Sequence, residues 1–226
     1  FTHKPAYPML RSLVGSEMCI RDSALTAFLF LTYKKNTINI IKKSGFPAIV
    51  AGLFLSLSFV AYVVAMSKTT VANVVFIIST QTIFLALFGF LFLKEKITFK
   101  GLIAITLAFV GMLVMVGDSI NQGTLFGNIV AFAIPINFTI LVMIIRKFPD
   151  LDMVPAIFYS GIFSGIYGLL LASNLTFSSN DILMGFLLGV PQLAFGFICV
   201  TIGTKTTKAV TVGLLMLLET IFAPIW

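Results

Sequence analysis

From residue 46 onward the chain runs in apolar stretches of about twenty residues, interrupted by polar gaps of only a few, and this spacing limits what it can fold into. An α-helix rises 1.5 Å per residue, so about 20 residues cross a hydrocarbon core about 30 Å thick. Runs of that order lie at Phe46 to Met66, Thr70 to Leu93, Gly101 to Gly117, Leu125 to Ile145, Met153 to Ala172 and Ile182 to Gly203. An earlier run, Ala24 to Tyr33, is half as long, and a last one starts near Ala209 and is still apolar at Trp226. The expected fold is an all-α polytopic membrane protein with six whole helices and two partial ones. With 59% hydrophobic and only 10% charged residues, a water-soluble domain would lack the polar surface to cover itself. The short gaps favour antiparallel neighbours with no soluble domain inserted.

Charge gives the orientation. Lys34, Lys35, Lys42 and Lys43 occupy one gap; Lys94, Lys96 and Lys100 follow two helices later, then Arg146 and Lys147, then Lys205 and Lys208. The intervening gaps hold only Lys68, so by the positive-inside rule the basic gaps are expected to be cytoplasmic, in a multi-pass protein of the cytoplasmic (inner) membrane. The net charge of +7 therefore reports topology, and the expected partner is the lipid bilayer and not nucleic acid. Cys19 and Cys199 show no disulfide or metal spacing. Residues 1–23 hold the only His and two of the three Arg, with no long apolar run. They are expected to be a non-native or disordered leader; Gly15 to Ser23 resembles translated sequencing-adapter read-through.

A repeat crosses this pattern. Ser67-Lys68-Thr69-Thr70 returns as Thr204-Lys205-Thr206-Thr207, and Gln81-Thr82-Ile83-Phe84 as Glu219-Thr220-Ile221-Phe222. The offset of 137 to 138 residues covers five helices, and an odd number turns the second copy over in the membrane. Inverted copies are the usual construction of secondary transporters, which exchange inward-open and outward-open states around a central site.

Leu91-Phe92-Leu93-Lys94-Glu95-Lys96, followed by Gly101 and Gly111, resembles the end of the fourth helix and the fifth helix of EamA-type permeases in the drug/metabolite transporter superfamily. Gly127-Asn128 opening the next half and Leu217-Leu218-Glu219 opposite it are similar to the same family, although Lys94 stands for its usual Gly and Thr220 for a Pro. The resemblance implies ten helices in two inverted five-helix units. Residues 24–118 would be the first repeat, lacking its first helix, and 124–226 the second, cut within its fourth.

Several residues are candidates for a substrate site. Glu219 is the only carboxylate inside an apolar run, about 15 Å into its helix and so near the midplane. A charge there costs about 2.5–3.5 kcal/mol on insertion scales, so it is expected to face a partner or a wet cavity, or to be protonated. The alternative is a neutral acid bonding two helices together. Gln81 is its repeat mate, and Asn73 lies eight residues earlier on nearly the same face, as Thr211 does before Glu219. Interhelical hydrogen bonding without a substrate is the competing account of Gln81 and Asn73. Asn137 beside Pro135 and Gln192 beside Pro191 sit where a proline frees a backbone carbonyl, although a kink alone explains both prolines. Tyr62 suits stacking on a substrate or anchoring at the interface. Glu95, between Lys94 and Lys96, reads as a solvated charge at a helix end, with a role as a gate ion pair as the competing account. No catalytic residue, metal ligand or cofactor is expected.

The function that fits is a secondary active transporter moving a small metabolite, an amino acid or similar amphipathic compound, by alternating access, with proton-coupled export as the working form. The alternatives are a non-transporting membrane scaffold and exchange of larger polar solutes such as nucleotide sugars. A homodimer is compatible with either. An intramembrane enzyme would need acid/base, metal or nucleotide chemistry whose side chains are missing beyond residue 23.

Overall fold

The structure, a computed structural model, describes residues 37–95, 99, 101–103, 105–107, 110, 124–171 and 195–222. The elements among them are α1 (Thr37–Lys68), α2 (Val71–Ser79), α3 (Gln81–Leu93), α4 (Leu125–Lys147), α5 (Val154–Leu171), α6 (Phe195–Thr204) and α7 (Ala209–Phe222). Residues 99, 101–103, 105–107 and 110 are helical as well. Ile40–Lys68, Asn73–Leu93 and Leu125–Lys147 are long and apolar enough to cross a membrane. The all-helical membrane fold expected from the apolar runs is the one observed. The expectations for residues 1–23, Ala24 to Tyr33, Pro191 and Gln192 fall outside the described residues.

Two expected helices differ in detail. The first begins at Thr37, nine residues before the apolar run, so Lys42 and Lys43 are exposed side chains of a helix and not of a gap. Gly45, at φ 56° and ψ −152°, bends the chain there. That backbone region is open to glycine and closed to most side chains. Pro47 follows, where its fixed φ suits the first turn of the main helical segment. Thr70 to Leu93, expected as one helix, is interrupted at Thr80 into α2 and α3.

The described helices form two compact units, each drawing on both sides of the 118–124 gap. One comprises residues 1–56 and 150–202, the other 57–149 and 203–226. In the first, small side chains let two helices touch. Ala48, Gly52 and Ser56 of α1 recur every four residues, as do Ala156, Ser160 and Ser164 of α5, and all six are buried. That spacing places each set on one helix face, where close backbone approach replaces bulky side-chain packing. Gly52 is the point of contact, since a Cβ there would lie 2.6 Å from the Ala156 carbonyl oxygen and 2.7 Å from Tyr159 Cβ. Ser160 and Ser164 keep their hydroxyls on local carbonyls, those of Ile157 and Gly161, at 2.7 and 3.0 Å.

In the second unit Ala61, Ala65, Val74, Ile77, Ala131 and Ile134 form a buried cluster joining the end of α1 to α2 and α4. Further along, α3 packs between α4 and α7. Thr70 caps α2 by accepting from the Asn73 N–H at 3.3 Å, and Thr124 caps α4 by accepting from the Gly127 N–H at 3.2 Å. Pro135 removes one backbone donor from the middle of α4. Two neighbouring carbonyls there gain side-chain donors: Ser58 reaches Ile134 at 3.4 Å and Thr139 reaches Pro135 at 2.7 Å.

Candidate functional site

The break at Thr80 is where polar groups enter the apolar interior. Ser79, Thr80, Gln81 and Thr82 are all buried, midway along the span from Val71 to Leu93. Thr80 keeps right-handed torsions (φ −62°, ψ −15°), so the chain tightens there without opening. Its N–H bonds the Ile77 carbonyl at 3.1 Å, and its own carbonyl accepts from Ile83 and Phe84. Such a three-residue step within a helix is a common form of hinge. Three hydroxyls are engaged. Ser79 donates to Phe76 at 2.5 Å, Thr80 to Ile77 at 2.6 Å, and Thr82 crosses to the Gly213 carbonyl of α7 at 3.1 Å. Gly213 permits that crossing because a Cβ there would lie 3.0 Å from Thr82 Cα. Gln81 lies among these hydroxyls, only 6% exposed. An amide at such a depth needs hydrogen-bond partners, a need that a ligand or water with matching polarity meets.

The other expected site residues spread out. Asn73 is 1% exposed but belongs to a network at the α2 N-terminus. Its Nδ2 donates to Thr69 Oγ1 at 3.1 Å and to Asn128 Oδ1 at 3.3 Å, and the Thr69 hydroxyl donates to Asn128 Oδ1 at 2.6 Å. Thr124 adds a bond to the Lys68 carbonyl. Eight residues of helix separate Asn73 from Gln81, about 12 Å along the axis, so the structure does not bring the two together. Asn137 is half-buried on α4, while Tyr62 and Thr211 are exposed. Glu219 lies on α7 with its side chain outside the described residues, as is all of Gln192.

The network around Asn73 closes one end of the unit, joining the two gaps expected outside. Gly127 makes it fit, since a Cβ there would lie 2.8 Å from both the Lys68 carbonyl carbon and Thr69 Cβ. Gly127→Ala is therefore expected to lower stability by about 2 kcal/mol through overpacking alone, read as a lower melting temperature in detergent.

At the opposite end the basic gaps converge on Glu95, and the reading of that residue as a solvated charge is corrected. Its side chain is 10% exposed and pairs with Arg146, itself 16% exposed. Lys94 takes a left-handed conformation (φ 52°) beyond α3, and the Glu95 N–H turns back to the Gly89 carbonyl at 3.1 Å. The carboxylate is thereby carried over Gly89, and its Oε2 accepts from the Ala209 N–H at 3.0 Å. An anion at the α7 N-terminus satisfies an open donor and complements the helix dipole. The sequence signal was Arg146, the only arginine after residue 21. A lone arginine at a helix end favours a carboxylate, for its planar fork matches one.

Residues 9–117, just under half the chain, match the EamA-like transporter family, and the match takes in part of the 1–23 leader. One solved protein crystal structure is similar in fold, with a TM-score of 0.80 over 98% of this chain and 78% of that one; at 15% identity it bears on fold alone. No curated protein matches the chain.

Proposed function

We propose, from the premise that through residues 9–117 the chain belongs to the EamA-like transporter family, that it is a secondary active permease for a small amphipathic metabolite. Members of the family are membrane transporters and not enzymes. The substrate class is an amino acid or similar compound, the membrane is the cytoplasmic one, and the direction is export coupled to protons.

The observation that carries this reading is the Gln81 amide, buried at a helical step in mid-span among hydroxyls that are already engaged. A carboxamide both donates and accepts, so it can meet the carboxylate and the ammonium group of a zwitterion. Leu85, buried one turn further along the same face of α3, is apolar and suits the rest of an amphipathic molecule. Glu219, the repeat mate of Gln81, is the group assigned to exchange a proton for the substrate. Alternation follows from the inverted copies: each carries one polar side chain, Gln81 or Glu219, about eleven residues into its apolar run and in the opposite sense, so either can face either side.

The test is metabolite profiling of medium and cells from a strain expressing the protein. Wild type is expected to raise one amphipathic metabolite outside, and Gln81→Ala to reduce that accumulation about tenfold, the 1.4 kcal/mol of a single good hydrogen bond. No change in any metabolite, with the protein verified in the membrane, would favour the scaffold. A nucleotide sugar would move the substrate class to larger polar solutes.

A further inference from the structure

We propose, building on the alternating-access reading, that Glu95 and Arg146 form a latch that closes the second unit at its basic end and opens once in each transport cycle. Four helix termini meet on this pair. Glu95 follows α3 and Arg146 ends α4, while the Glu95 carboxylate holds the Ala209 N–H that begins α7, at 3.0 Å. Arg146 Nη1 points at the Thr204 carbonyl that ends α6, at 3.5 Å. Each charge thus sits at the helix end whose dipole it complements: the anion at an N-terminus, the cation at a C-terminus.

The polar groups of the two ends are not alike. At the end bearing Asn73 the network consists of neutral side chains. At the basic end it is an ion pair, nearly shut off from water, where opposite charges attract more strongly than at an exposed surface. The pair is incompletely satisfied, a feature both ends share, so the charges are what set this end apart. Arg146 Nε is buried without a hydrogen-bond partner among the described residues, and the contact to Thr204 is long. A fully satisfied buried network would favour one rigid state, whereas an orphaned donor costs the closed state part of its advantage. Opening wets both charges and that donor together. Gly89 keeps the closure tight, since a Cβ on it would lie 3.1 Å from Ala209 Cβ and 3.4 Å from Glu95 Oε2.

The test needs no substrate, so it stands apart from the choice of metabolite. In the full chain with Cys19→Ser and Cys199→Ser, a reporter Ala86→Cys is labelled by a membrane-impermeant maleimide from the cytoplasmic side of inside-out vesicles. Ala86 is buried on α3, nine residues inward of Glu95. Glu95→Gln and Arg146→Gln are each expected to speed labelling about tenfold, and the double variant no further than either alone, as for two partners in one interaction. A second reporter, Ala65→Cys in the buried cluster toward the other end, is expected to stay protected in all of them. Unchanged labelling at Ala86→Cys, additive effects, or equal exposure of both reporters would overturn the latch, the last because it indicates general loosening.

Discussion

Gly52→Ala is expected to be the most damaging single methyl group in the described structure. The added Cβ would lie 2.6 Å from the Ala156 carbonyl oxygen, 2.7 Å from Tyr159 Cβ and 3.0 Å from the Ser160 nitrogen. Two of these are backbone atoms of α5, which cannot step aside as a side-chain tip would. The helices must separate, and the alanine and serine stripes on either side of Gly52 lose the close contact that holds them. Overpacking of this kind costs about 1–3 kcal/mol. In a chain of this length a loss in the middle of that range, about 2 kcal/mol, lowers the melting temperature by about 4–8 °C, at about 2–4 °C per kcal/mol. The check is thermal unfolding of purified protein in detergent, with Gly203→Ala as control, since a Cβ on Gly203 would meet nothing within 4 Å. Equal melting temperatures for the two variants would show that α1 and α5 do not pack as described.

The helices were legible because the hydrophobic requirement of a membrane span is local: any run of the right length satisfies it, whatever it packs against. The alternation of basic gaps was equally readable, and its consequence appears in the second unit, where Glu95, Arg146, Thr204 and Ala209 from three basic gaps meet at one end. Details that depend on backbone torsion were not readable. Gly45 gave no sign that residues 37–44 would be helical, because four lysines within ten residues look like a gap, although Lys42 and Lys43 sit exposed on the helix surface. Thr80 is an ordinary residue for a helix, and its step into a tighter turn is tied to hydroxyl bonds back to the preceding turn.

Polar partners were the least legible, because a hydrogen bond between helices depends on which faces meet. Asn73 and Gln81 share a helical face by spacing, yet Asn73 spends its amide nitrogen on Thr69 and Asn128 at the end of the span. Glu95 sits between two lysines in sequence but is bound by an arginine 51 positions away. What the spacing did mark was depth: Gln81 falls at the middle of its span and is buried there.

Glu219→Gln is expected to have the largest effect on transport, because it removes a proton-carrying group and leaves shape and hydrogen-bonding capacity nearly unchanged. A carboxylate in mid-membrane costs about 2.5–3.5 kcal/mol on insertion scales, a burden that a purely structural residue could shed by becoming glutamine. In the function proposed above, its position as the repeat mate of Gln81 gives it the coupling step, the exchange of a proton for the substrate. Loss of this exchange is expected to reduce gradient-driven transport about a hundredfold, about 2.7 kcal/mol at 1.36 kcal/mol per decade, while leaving the folded protein's melting temperature near that of wild type.

The most direct measurement of the central claim is uptake of the identified metabolite into proteoliposomes at several imposed pH gradients, with wild type and Glu219→Gln reconstituted at equal density. The expected result is transport that rises with the gradient in wild type and a low, flat rate in the variant. Equal rates with the same pH dependence in both would contradict proton coupling through Glu219.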